Sequence, residues 1–241
     1  MAPDLISFDG VSAGYGALTI LNELSFGARP GEITLLIGPN GAGKSTVLKT
    51  LFGLVAPRAG HIRFKGRPVG GHSPAAMLRE GIAFVPQGRN LFASLSVRHN
   101  LELGAGTLPR PVRRTRFDEA VARFPHLLQR IDNQASTLSG GEQKQLEIAR
   151  ALQLRPDVIL IDEPSIGLSP IIARQVFRLL RDLANSGTTV LMVEQNIRAA
   201  LAVADRVLLL EGGRLMLDSP AGRLLDDPDL NRVFLGRSVS H

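Results

Sequence analysis

Cysteine is absent from this chain, so neither a disulfide frame nor a thiolate metal site can be built from it. That absence fits a cytoplasmic protein. No apolar run reaches the about 20 residues of a membrane span. The longest candidate, 199–210, is interrupted by Asp205 and Arg206 and reads as a helix followed by a buried strand. Met1-Ala2-Pro3-Asp4 has neither the basic region nor the apolar core of a secretory signal, so none is expected. Aromatic residues make up only 5% of the chain, with a single tyrosine, and no interleaving of aromatic with basic residues suggests base stacking. What is plentiful is positive charge, with a net +6 and a pI near 10.6. Such a balance can serve nucleic acid or an anionic membrane surface. Here the basic residues are scattered and nearly all arginine, with one loose cluster at Arg110, Arg113, Arg114 and Arg116. A solvated basic face is the expectation, with no nucleic-acid partner.

The 241 residues suffice to bury roughly 70% or more of the unfolded surface. Apolar runs of strand length alternate with helical patterns, which predicts a mostly parallel sheet covered by helices. The predicted central strands are 33–37, 82–85, 158–161, 189–193 and 207–210. Residues 4–30, with turn signals at Asp9-Gly10 and Gly14-Tyr15-Gly16, read as an antiparallel hairpin layer that 61–69 joins. Between Asn90 and Gln134 the strand signal vanishes, and Phe117, Ala120, Val121 and Phe124 follow helical spacing up to Pro125. The expected organisation is a single domain over 1–241. Its antiparallel layer is 4–30 and 61–69, its core 31–60, 80–88 and 155–217, its helical insertion 89–154, and its C-terminal helices and tail 218–241.

Gly38 to Ser45 reads G-P-N-G-A-G-K-S, between the apolar run 33–37 and a helical pattern from Lys44 to Leu54. Glycines at 38, 41 and 43 let successive backbone N–H groups face one polyphosphate. Lys44 supplies a point charge for the β and γ phosphates, Ser45 a hydroxyl for Mg²⁺, and the helix start its positive end. Downstream, Leu138-Ser139-Gly140-Gly141-Glu142 precedes a long helical pattern to Leu154, and Ser139 and Glu142 have capping-box spacing. Beyond it, the strand 158–161 runs into Asp162-Glu163-Pro164, two carboxylates at the edge of an open α/β sheet where ligands bind. Left without partners there, both charges would be costly, so they read as functional.

In this order and spacing the three elements resemble the ATP-hydrolysing subunit of an ABC transporter, over nearly the whole chain. The resemblance implies a P-loop NTPase (RecA-like) parallel core with an antiparallel β layer and a helical subdomain carrying the signature motif. It implies ATP and Mg²⁺ as cofactors. Gly38, Pro39, Asn40, Gly41, Ala42, Gly43, Lys44, Ser45 and Thr46 are then the phosphate-binding set, and Tyr15 resembles the aromatic that stacks on adenine. Gln87, in Phe84-Val85-Pro86-Gln87, resembles the glutamine that touches Mg²⁺ and the attacking water and links the site to the membrane partner. Ser45, Gln87 and Asp162 would serve Mg²⁺, Glu163 would be general base or water-positioner, and Leu138 to Glu142 would act in trans on a second subunit's ATP.

Two positions depart from the common pattern. Val193-Glu194-Gln195-Asn196 puts Gln195 where most members carry a histidine beside the γ-phosphate, and an amide cannot carry a proton's charge. Ser169 stands where aspartate is usual, although it still suits the N-cap of the next helix with Pro170 at the first position. With Pro164 to Pro170, these changes resemble the branch that serves branched-chain amino acid importers and their urea and amide relatives. That branch implies pairing with a different ATPase subunit, this chain being the shorter one, with a homodimer as the alternative for the isolated chain. It also implies two permeases, a periplasmic binding protein acting through them, and a peripheral place on the cytoplasmic face of the inner membrane. The competing readings are a soluble ABC ATPase of cluster assembly, a DNA-linked one and a GTPase switch. The segment between Gln87 and the signature has no sustained heptads, which speaks against the DNA-linked class, and no N-K-x-D loop supports a GTPase.

Overall fold

The computed structural model describes residues 3–88 and 90–226. The chain starts with β1 (Ile6–Tyr15) and β2 (Leu18–Ala28), paired antiparallel, and then enters β3 (Ile33–Ile37) and α1 (Lys44–Leu51). β4 (Pro57–Phe64) returns beside β1, β5 (Arg67–Pro68) edges it, and α2 (Pro74–Glu80) leads to β6 (Ile82–Val85). A helical stretch follows: α3 (Val97–Gly104), α4 (Arg110–Arg123), α5 (Pro125–Leu128), a 3₁₀ turn at Ala135–Thr137 and α6 (Gly140–Leu152). The chain closes with β7 (Val158–Asp162), α7 (Pro170–Asn185), β8 (Thr189–Val193), α8 (Ile197–Leu201), β9 (Arg206–Glu211), β10 (Arg214–Pro220) and α9 (Ala221–Asp226).

Two sheets result, a four-stranded one in the order β2-β1-β4-β5 and a six-stranded one in the order β10-β9-β3-β8-β7-β6. All neighbours in the larger sheet are parallel except β9 and β10. Its central strands β3, β7 and β8 are buried throughout and mostly apolar because both faces are covered. Leu35, Ile37, Ile159, Ile161, Val190 and Met192 face the core made with α6 and α7. The alternate residues Leu36, Leu160, Leu191, Val193 and Leu208 face α1 and the antiparallel sheet. α7 is held at its start by Ser169, whose hydroxyl accepts the Ile172 N–H, with Pro170 in the first turn, and it buries Val176, Phe177, Leu180 and Leu183.

The structure alters three expectations. Asp9-Gly10 is not a turn but a bulge inside β1, where the register slips between Phe8 and Val11. The extra residue changes the parity, so Ile6 and Phe8 before it and Val11 and Ala13 after it all point inward. β4 starts at Pro57 rather than at 61, because its first residues are exposed and give no apolar signal. Asp218 to Pro220 belong to a strand, not to C-terminal helices. Gly212 and Gly213, both at positive φ, turn β9 into the antiparallel β10, and the helix begins only at Ala221. The rest of the predicted tail, 227–241, lies outside the described residues.

Phe177→Ala removes a buried ring from the α7 face of the sheet. We expect a loss of roughly 3–5 kcal/mol, read as a lower denaturant midpoint at unchanged slope.

Candidate functional site

The strands β3, β8, β7 and β6 are neighbours in that order and parallel, so their C-terminal ends open on one edge. The loops that leave this edge carry Gly38 to Ser45, Glu194 to Asn196, Asp162 with Glu163, and Gln87. The phosphate loop is shaped by close backbone approach. At Gly38 (φ 146°) a Cβ would sit 2.0 Å from the Leu210 carbonyl oxygen, so only glycine passes there. Gly43 is the left-handed N-cap of α1 (φ 100°), with no side chain capping the helix. The first N–H groups of α1 therefore lack a side-chain acceptor, as an anion site requires.

A cavity of about 380 Å³ lies over this loop, lined by Ile20, Asn40, Gly41, Gly43, Lys44, Ser45, Thr46, Gln87, Glu163 and Gln195. The Lys44 ammonium donates to the carbonyls of Gly38 (2.8 Å) and Pro39 (3.0 Å), so the loop is folded around it. Ala42 is buried behind the loop, where its carbonyl accepts the Gly213 N–H. Burial lowers the Lys44 pKa, opposed by the carboxylates of Glu163 and Asp162. Ser45 Oγ donates to Asp162 Oδ1 at 3.0 Å. Burial raises the Asp162 pKa, the Ser45 hydrogen bond lowers it, and Glu163 adds to the rise.

Glu163 is held from both sides. Its oxygens accept from Gln87 Nε2 at 2.7 Å and from Gln195 Nε2 at 2.6 Å. The residue is non-glycine at φ 49°, in the left-handed region, a conformation that costs of order 1–3 kcal/mol. Its own N–H still donates to the Val193 carbonyl at 2.9 Å. The strained turn thus ends the strand and points the carboxylate at the phosphate loop. The donor set that the sequence assigns to a cation is sparse: the Ser45 hydroxyl and the Gln87 amide in the cavity lining, and the Asp162 carboxylate hydrogen-bonded to Ser45. That suits Mg²⁺, which keeps waters and takes phosphate oxygens rather than an all-protein cage.

Other predicted residues lie elsewhere. Tyr15 ends β1 and is half-exposed, and it does not line the phosphate cavity. Arg58 fixes its turn by donating to the Gly16 carbonyl and to Thr19 Oγ1. Leu138 to Glu142 are also apart from it. Ser139 and Glu142 form the capping box of α6, and the acceptance of the Ser139 N–H and hydroxyl hydrogen bonds holds the Glu142 pKa down. Gly140 borders a second cavity of about 270 Å³, together with Gly88 and the turn Ile166-Gly167-Leu168.

Two further buried carboxylates, Glu147 and Glu194, lie outside the motifs legible in the sequence. Glu147 pairs with Lys144 at 2.5 Å on α6 and accepts the Asn90 N–H at 2.7 Å, which anchors the segment after Gln87. Glu194 has as its hydrogen-bond partners, among the described residues, three backbone N–H groups: Ser165 (2.8 Å), Gln195 (2.9 Å) and Asn196 (3.0 Å). Hydrogen bonds to a charge contribute about 1.5–3 kcal/mol each, so three of them are of the same order as the several kcal/mol that burying an ion costs. The logic that marked Asp162 and Glu163, a charge at the end of an apolar strand, also marks Glu194 after Val193.

The chain is 41% identical over 232 residues to the high-affinity branched-chain amino acid transport ATP-binding protein BraG of Pseudomonas aeruginosa, covering 96% of this chain and 100% of that one. It is 37% identical over 227 residues to the probable branched-chain amino acid transport ATP-binding protein LivF of Archaeoglobus fulgidus, covering 94% and 96%. The crystal structure of the ADP conformation of an ATP-binding cassette of an ABC transporter superposes with a TM-score of 0.86 at 25% identity, over 98% of this chain and 100% of that one. The family model described as ABC transporter matches residues 21–166. That span holds the phosphate loop, Gln87, the capped start of α6 and both carboxylates of the β7 edge, and the chain belongs to the ABC transporter family.

Proposed function

We propose that this protein binds and hydrolyses ATP with Mg²⁺ as one of two ATPase subunits of a membrane importer for branched-chain amino acids. The observation that carries the chemistry is the Glu163 carboxylate, turned to the phosphate loop and gripped by Gln87 and Gln195. In this reading the loop 38–46 cradles the phosphates, Lys44 meets the β and γ oxygens, and Tyr15 stacks on adenine. Ser45, Asp162 and Gln87 would hold Mg²⁺, which supplies charge neutralisation on the phosphate oxygens. Glu163 positions the water for in-line attack, and Gln195 contacts the γ-phosphate as an amide donor. The amides of Gln87 and Gln195 keep the Glu163 carboxylate from swinging, so its orientation is preset before ATP arrives.

Gly140 and its neighbours lie outside the phosphate cavity, so the N-terminus of α6 would act on the ATP of a second ATPase subunit. ATP is then the bridge of the dimer, and hydrolysis releases it. The solute reading is supported by the two relatives, both named as branched-chain amino acid transport ATP-binding proteins, and urea, amides or another solute is the alternative. The permeases would sit above the groove that holds Phe84, Phe92 and Leu103, since Pro86 and Asn90, which flank Gln87 in the sequence, also line it. Among the described residues no helix is long and apolar enough to cross a membrane. As the partner of such permeases the chain would be peripheral, on the cytoplasmic face of the inner membrane, with a periplasmic binding protein delivering solute to the permeases.

Glu163→Gln should keep ATP binding, slow turnover by roughly 10²–10⁴-fold, and trap an ATP-bound dimer seen by size-exclusion chromatography. Phosphate release near the wild-type rate would overturn the assignment. Gln195→His should retain nucleotide affinity, since both side chains can donate to a phosphate oxygen. Titration with a fluorescent ATP analogue checks this, and lost binding would show that residue 195 is misplaced. Isolation from native membranes should bring down two multi-span permeases and a second ATPase. A purely soluble complex would refute the importer.

A further inference from the structure

Gln87, Glu163 and Gln195 have roles in the proposed ATP hydrolysis, while one buried carboxylate at the same sheet edge has none. Glu194 is 2% exposed. Its Oε1 accepts the N–H of Ser165, in the turn after β7, while its Oε2 accepts the N–H groups of Gln195 and Asn196, in the turn after β8. One side chain therefore ties two loops that share no backbone hydrogen bond at those residues. Both loops bear on Glu163. Ser165 lies two residues beyond it, and the side chain of Gln195 donates to its Oε1.

A carboxylate suits this place for a geometric reason. It offers two acceptor oxygens and no donor, so it can receive three converging N–H groups. An amide of the same shape would turn its NH₂ toward at least one of them. A residue that served only to fill space would be apolar here, because the flanking Val193 is fully buried in the core.

We propose that Glu194 is a positioning residue for the hydrolytic step. By holding the Ser165 and Gln195 backbones together, it sets the distance and angle between the Gln195 amide and the Glu163 carboxylate. The turn that begins at Ser165 continues through Ile166, Gly167 and Leu168, which border the start of α6. Glu194 thereby also links that turn to the phosphate cavity. This inference rests on the reading of Glu163 as the water-activating carboxylate.

The test compares ATP turnover in the assembly isolated from membranes, for wild type, Glu163→Gln, Glu194→Gln, Gln195→Ala and the double variant Glu194→Gln/Gln195→Ala. Glu194→Gln should lower kcat roughly 10- to 100-fold and leave the KM for ATP within about threefold of wild type. The double variant should be no slower than the slower single one, because both act through one contact. A Glu194→Gln kcat within about twofold of wild type, or losses that multiply in the double variant, would overturn the proposal. If Glu194→Gln does not fold, Glu194→Asp takes its place: it keeps the charge but shortens the reach, and the same kcat loss at steady KM is expected, with a wild-type kcat overturning the idea. Full turnover by Glu163→Gln overturns the reading of Glu163 and this proposal with it. An inactive Glu163→Gln beside a fully active Glu194 variant overturns this proposal alone.

Discussion

The parallel pairing of β7 with β8, which sets Asp162 opposite Val193, is the constraint on which the site depends. Because β3, β8, β7 and β6 all run the same way, four loops from distant parts of the sequence leave from a single edge. A slip of one residue would turn every side chain of a strand to the opposite face. It would put the α7-facing residues against α1, and it would carry Asp162 away from the Ser45 hydroxyl. Two separate apolar cores, one on each face, penalise such a slip. The register is thus held by packing far from the chemistry.

At that edge, and in α6 beside it, the recurring problem is how to keep carboxylates in place. Asp162, Glu163, Glu194 and Glu147 are all buried, and each is satisfied in a different way. Asp162 takes a hydroxyl, Glu163 two side-chain amides, Glu194 three backbone N–H groups, and Glu147 a lysine and one N–H. An unpaired charge there would be expensive, and the bonds from Gln87, Gln195, Ser165 and Asn90 also restrain the loops those residues sit in. The cost of burying charge is converted into preorganisation. Glu163 adds a second form of stored cost, its left-handed backbone, which the surrounding hydrogen bonds hold in place.

The arrangement is open toward solvent on the side of the phosphate loop, and the capped start of α6 lies at a different cavity. Under the proposed action of α6 on a second subunit's ATP, this separation would tie hydrolysis to association, whereas a pocket complete within one chain could hydrolyse ATP without signalling to anything. Selection of the transported solute would then reside in the partners, and the catalytic edge could be shared among systems with different cargo.

The sequence by itself determined most of the fold and the chemical inventory. The central strands were legible because strands buried on both faces are written as short apolar runs, and the capped helices at Ser139 and Ser169 because capping is a local hydrogen-bond pattern. The phosphate loop was legible for the same reason, since its glycines serve local backbone geometry. The bulge at Asp9-Gly10, the exposed start of β4 and the edge strand β10 were not, because each depends on a neighbouring strand rather than on the hydropathy of its own residues. Only the tertiary structure decided which groups meet: that Gln87 and Gln195 share Glu163, that Tyr15 lies off the cavity lining, and that Glu194 joins two loops. Such contacts join residues far apart in the chain, and a hydrogen bond between them exists only once the parallel register has brought the strand ends together.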